Sequence, residues 1–130
     1  MERKRVKEEL RIIRFGKRNI DALSAELEQK RKRLLAIEAH TEITPASISR
    51  LKKRISSLEQ ELFKKISDQE LLEARYDEAI STLDEIDQII IREGYINGRQ
   101  YADLGLRLGY SVRGIENRMQ GIIKRLSELL

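Results

Sequence analysis

The chain has 130 residues, 37% of them charged and 5% aromatic, with one proline, no cysteine and a single histidine, His40. That composition suits long helices, argues against a β-sandwich or a doubly wound α/β fold, and excludes disulfides, thiolate catalysis and Cys/His zinc sites. The net charge of +4 hints at an acidic partner without establishing one. No apolar run approaches the roughly 20 residues of a membrane span, and Met1 to Arg5 lack the apolar core of a signal peptide, so a soluble cytoplasmic protein is expected.

The first 40 residues carry a heptad pattern. Val6, Ile13, Ile20, Leu27 and Leu34 recur by sevens, with a companion series, Glu9, Gly16, Leu23, Lys30 and Ile37, that is only partly apolar. A break is expected at Thr41 to Thr44, because residues before proline disfavour helix. Thr44 can then cap a second helix that has Pro45 at its first position. From Ile48 the steps of three and four are regular: Ile48, Leu51, Ile55, Leu58, Leu62, Lys65, Gln69, Leu72, Tyr76, Ala79, Leu83, Ile86, Ile90. Eleven of these 13 positions are apolar or aromatic, which predicts one helix roughly 65 Å long running to Ile90.

Folding the two helices back on each other gives a register in which paired residue numbers sum to 85. Ile37 then meets Ile48, Leu34 meets Leu51, Leu27 meets Leu58, Leu23 meets Leu62, Ile13 meets Leu72 and Val6 meets Ala79. The poor layers coincide as well, with Gly16 facing Gln69. Charge supports the same antiparallel pairing: residues 1–18 hold eight basic and three acidic side chains, and residues 68–87 hold eight acidic side chains and one basic, Arg75. Exposed pairs contribute only a few tenths of a kcal/mol each, so the pattern selects register more than it stabilises. Near the hairpin tip, Lys30, Arg31, Lys32 and Arg33 lie roughly opposite Arg50, Lys52, Lys53 and Arg54. The ordinary interpretation is a solvated helix face, and the sharper one is a secondary contact with nucleic acid or an acidic protein.

After Ile91 the pattern changes. Two glycines and a turn-prone Asn97-Gly98 precede two short amphipathic segments, Arg99 to Leu108 and Ser111 to Leu130, separated by Gly109-Tyr110. Their apolar residues are too few for a core, so the end of the long helix has to supply a third wall. The expected architecture is all-α: a coiled-coil helical hairpin over 1–81, then a three-helix module over 82–130.

With Tyr101 as the first position of a helix-turn-helix, Gly105 falls where only a small residue lets two helices cross closely. Gly109 falls in the tight turn, where positive φ is easiest for glycine. Leu104, Leu108, Tyr110, Ile115 and Met119 fill the buried positions, and Ser111 can cap the second helix, the one such motifs place in the DNA major groove. Tyr95-Ile96-Asn97-Gly98, Tyr101-Ala102-Asp103-Leu104-Gly105, Leu108-Gly109-Tyr110-Ser111 and Ile115-Glu116-Asn117-Arg118-Met119 together resemble the fourth conserved region of bacterial sigma factors. Gly105 stands where that pattern usually has alanine. A small chain with long N-terminal helices and this module also resembles phage regulators of the ArpU/RinA late-gene activator type. The resemblance implies a transcriptional regulator of phage or prophage origin, with double-stranded DNA as partner and RNA polymerase as a second candidate. Seam residues that one hairpin leaves uncovered, especially Leu83, Ile86 and Ile90, make the helical stalk a candidate homodimer surface.

Residues 94–127 carry six basic and two acidic side chains, a balance that suits phosphate contact. Motif position divides the roles. Arg113, Glu116, Asn117 and Gln120 are the candidates for reading bases, since Arg and Asn bind guanine and adenine edges in bidentate fashion. Arg99, Gln100, Ser111, Arg118 and Lys124 are the candidates for phosphate. No nucleophile–base pair, glycine-rich phosphate loop or HExxH is present, so no enzyme, cofactor or metal is expected. The alternative is a structural or interaction protein, or a small terminase-like DNA-packaging subunit that uses its helical stalk for assembly.

Overall fold

The computed structural model describes residues 1–40 and 44–130. It consists of α1 (Arg3–Glu38), α2 (Pro45–Ile80), α3 (Glu85–Ile89), a π-helix (Ile90–Ile96), α4 (Tyr101–Leu108) and α5 (Val112–Leu129). The protein is all-α, with no strand among the described residues. None of the described helices is long and apolar enough to cross a membrane. The residues group into two compact units, Lys17–Asp68 and a second made of Met1–Gly16 with Gln69–Leu130. The packing therefore adds the first turns of α1 and the last turns of α2 to the C-terminal module.

In the Lys17–Asp68 unit α1 and α2 run antiparallel across a narrow seam. Leu27, Ile55 and Leu58 are buried, with Leu23, Leu34, Leu51 and Leu62 packed on them, as the register anticipates. Ion pairs Arg54–Glu26 at 3.2 Å and Lys52–Glu38 at 3.4 Å link the helices along the seam's edges. Thr44 caps α2, its hydroxyl accepting from the Ser47 amide at 3.3 Å, and Pro45 is the first helical residue. The rest of the expected break, Thr41 to Ile43, lies outside the described residues.

The second unit has a wider core. Val6, Leu10 and Ile13 of α1 and Tyr76, Ala79 and Ile80 of α2 pack in one cluster with Ile90, Ile91, Leu104 and the apolar face of α5. Two flanks of the module are thus supplied by residues that the heptad pattern assigns to the stalk. At its edge the Gln69 amide is buried, donating to the Ile13 carbonyl at 3.1 Å and to Glu73 at 3.0 Å. It fills the space over Gly16, where a Cβ would come within 3.0 Å of the Gln69 carboxamide. The expected Gly16–Gln69 layer forms, as a hydrogen-bonded plug rather than a defect.

The single helix expected from Pro45 to Ile90 is interrupted. α2 ends at Ile80 and α3 begins at Glu85. The hydroxyls of Ser81 and Thr82 donate back to the carbonyls of Asp77 and Ala79, at 2.6 and 2.7 Å, a local bonding pattern that competes with helix continuation. Asp84, extended at ψ 162, then caps α3 by accepting from the Asp87 amide at 2.8 Å. Ile90 and Ile91 are fully buried in this core, supplying the third wall that the sequence anticipates, so Ile90 is not open to dimerisation.

The π-helix follows directly. The Asn97 amide reaches the Arg92 carbonyl, five residues back, at 2.8 Å, and Gly98 ends the segment at φ +72. Gly94, in its middle, is buried. A Cβ there would stand 3.0 Å from Leu104 and 3.3 Å from Met119, so glycine lets α4 and α5 pack directly on the π-helix backbone.

Candidate nucleic-acid interface

α4 and α5 form the helix-turn-helix. Gly109 closes α4 in the left-handed region, φ 76 and ψ 27, and the Tyr110 amide donates to the Gly105 carbonyl at 2.9 Å. A Cβ on Gly105 would come within 3.0 Å of the Tyr110 carbonyl oxygen, a backbone atom. Glycine at this position therefore sets how closely the turn folds onto α4. Ser111 caps α5, its hydroxyl accepting from the Gly114 amide at 3.0 Å, and satisfies one of the helix's open donors.

α5 is sharply two-sided. Ile115, Met119, Ile122, Ile123 and Leu126 are buried. Arg113, Glu116, Asn117 and Gln120, the base-reading candidates, are all exposed, as is Lys124. On a 3.6-residue period Arg113, Asn117, Gln120 and Lys124 share the face opposite the core, and none of them has an ion-pair partner among the described residues. Gly121 lies on the same side with open space around it. Glu116 sits to one side, in a hollow with Tyr101, Lys7 and Arg11. Burial, then Tyr95 and the Glu116 charge, push the Tyr101 phenol above its ordinary value.

The phosphate candidates divide. Lys124 and Gln100 are exposed, and the Gln100 side chain makes no bond to the α4 amides it precedes. Arg99 lies 2.6 Å from a Glu93 carboxylate oxygen. Ser111 is committed to capping α5. Arg118 is partly exposed but engaged within the chain: its guanidinium donates to Asp87 at 2.8 Å and lies over the Tyr110 ring, 5.1 Å from its centre. The Asp87 bond holds the Arg118 pKa above its usual value. Arg118 thus ties the first turn of α3 to α5 and the turn.

Half of the eight basic residues singled out near the hairpin tip are matched by carboxylates. Arg31 pairs with Glu59, Lys32 with Glu28, Lys52 with Glu38 and Arg54 with Glu26, at 3.2 to 3.6 Å. Lys30, Arg33, Arg50 and Lys53 have no ion pair among the described residues.

No protein-family model, curated protein or solved structure matches the chain. The site therefore rests on its own geometry. That geometry includes residues the sequence reading left in the stalk: Lys7, Arg11 and Arg14 of α1 lie beside the helix-turn-helix. The available signal was their spacing, which puts all three on one helix face.

Proposed function

We propose that the chain is a sequence-specific duplex-DNA-binding regulator of transcription, encoded by a phage or prophage, that places α5 in the major groove. The observation that carries this reading is the outer face of α5: Arg113, Asn117, Gln120 and Lys124 are exposed, and the helix is held from behind by a tight turn and an apolar core. The resemblance of residues 95–119 to the fourth region of sigma factors supports it. So does the tight α4–turn packing, which explains why glycine replaces alanine at position 105. RNA polymerase and a second copy of the chain are the further partners this reading proposes. It includes no catalytic step and no cofactor, and it places the protein in the cytoplasm.

The deciding experiment measures affinity for a random duplex pool at two salt concentrations and sequences the bound fraction. Salt-sensitive binding and an enriched motif are expected. Arg113→Ala or Asn117→Ala should cost about 1–3 kcal/mol on the enriched site and relax its sequence preference. Lys124→Ala should weaken binding to all duplexes about equally. Absence of salt-sensitive binding would favour the second reading, a structural or interaction protein. What speaks for that reading is the exposure of Leu35, Phe63 and Leu71, each at least 70% accessible on the long helices.

A further inference from the structure

The first turns of α1 are pinned to the module by Val6, Leu10 and Ile13, all buried in its core. That fixes the neighbouring stripe of α1. Lys7 and Arg11 line a hollow with Tyr95, Tyr101 and Gln120. An adjoining hollow shares Arg11, Tyr95 and Tyr101 with the first and adds Arg14, Arg99 and Gln100. The two hollows lie side by side, one reaching Gln120 on α5 and the other the start of α4. The Tyr95 hydroxyl, 3.5 Å from the Lys7 carbonyl, marks where α1 lies against it.

The charge of these hollows is one-sided. Lys7, Arg11 and Arg14 are exposed, and none has an ion-pair partner among the described residues, although Glu9, on the same helix, is taken by Arg75 at 2.5 Å. The Arg14 guanidinium rests on Gly98, so close that a Cβ there would come within 3.0 Å of it. It thereby lies against the residue that precedes Arg99. Only Glu116 lines the walls as a carboxylate, and Glu93 is engaged with Arg99. Unpaired cations outnumber carboxylates along these walls, a balance that attracts an anion.

We propose that Lys7, Arg11 and Arg14, with Arg99 and Gln100, hold the phosphate backbone of the duplex flanking the bases read by α5. The inference rests on the DNA-binding reading and deepens it. The N-terminal turns of α1 become a backbone clamp, a role that carries no sequence information but fixes the register of α5 on the duplex. A linear polyanion suits two adjoining hollows that start at a base-reading residue and continue past the motif along a row of cations.

The test uses the full chain and the triple variant Lys7→Gln/Arg11→Gln/Arg14→Gln, with the duplex enriched from the random pool. Each lost phosphate contact lowers the slope of log affinity against log salt by about 0.9, so the triple variant should show a slope shallower by about 2–3. Its binding to every duplex should weaken by a similar factor, with the sequence preference kept. Ethylation of phosphates beside the motif should impair wild-type binding and leave that of the variant unaffected. Lys17→Gln/Lys64→Gln/Lys65→Gln removes the same charge elsewhere and should leave the slope near the wild-type value; an equal loss there would reduce the effect to net charge and overturn the clamp. If wild type binds duplex and the triple variant matches its slope, the clamp is wrong while the α5 reading stands. If wild type binds no duplex, both fall. Should the triple variant melt early, Arg11→Gln alone, expected to lower the slope by about 0.9, decides.

Discussion

Two glycines of the helix-turn-helix should respond to the same substitution with opposite signs. Gly→Ala inside a helix stabilises by about 1 kcal/mol when the added methyl meets nothing. That is the situation of Gly121, in mid-α5 with no atom within 4 Å of the new Cβ, so Gly121→Ala should raise stability by about 1 kcal/mol. At Gly105 the Cβ would be driven against the Tyr110 carbonyl oxygen. That carbonyl cannot retreat cheaply, because the amide of the same residue is bonded to the Gly105 carbonyl at 2.9 Å. Overpacking of this kind costs about 1–3 kcal/mol, so after the gain in helix propensity of about 1 kcal/mol Gly105→Ala should be destabilising by up to about 2 kcal/mol. The two variants should therefore differ by about 1–3 kcal/mol, or roughly 4–12 °C in midpoint for a chain of this size. Urea and thermal unfolding followed by helical circular dichroism would measure it. A Gly105→Ala protein as stable as Gly121→Ala would refute the claim that close approach at position 105 sets the geometry of the turn.

Gly16→Ala should likewise destabilise, by about 1 kcal/mol instead of stabilising, because the methyl evicts the Gln69 amide from its bond to Ile13; an unchanged urea midpoint would argue against the plug. Tyr76, fully buried and bonded to Glu9 at 3.1 Å, has its phenol pKa pushed up by burial first and then by the Glu9 charge. A raised folded-state pKa makes its stabilisation complete below about pH 10, where the unfolded phenol is still protonated, and lost as pH climbs further. Tyr76→Phe should therefore be less stable at neutral pH yet show a flatter decline above about pH 10, as read from unfolding midpoints across that range.

The seam of the Lys17–Asp68 unit was legible because two helices packed on each other bury only one narrow stripe, and Leu23, Leu27, Leu34, Leu51 and Leu58 follow it. The turn was legible because positive φ and close crossing leave few residue choices, met here by Gly109 and Gly105. The second unit was harder. Leu10 and Ile80 belong to neither heptad series, yet both are fully buried; they widen the stripe just where α1 and α2 meet more than one partner, a widening that a strict 3.5-residue count passes over. The break after Ile80 was masked because Leu83, Ile86 and Ile90 keep the heptad phase across it, although Ser81-Thr82 and the Asp84 cap were there to be seen. The π-helix has no comparable signature, since its wider turns answer to the packing around Gly94. The two hollows join Lys7, Arg11 and Arg14 to residues some 90 positions later, which no local pattern could pair.

The second unit's core joins Met1–Gly16 to Gln69–Leu130, so during synthesis its first contributors leave the ribosome long before its last. Val6, Leu10 and Ile13 emerge well before Ile115, Ile122 and Leu126, which share their core. The Lys17–Asp68 unit, whose pairings are closer in sequence, can assemble meanwhile. The α4–α5 pair therefore gains its full support last. A fragment starting at residue 82 would lack Val6, Leu10, Tyr76 and Ile80 from its core and should be expressed as a loose helical chain instead of a compact helical domain.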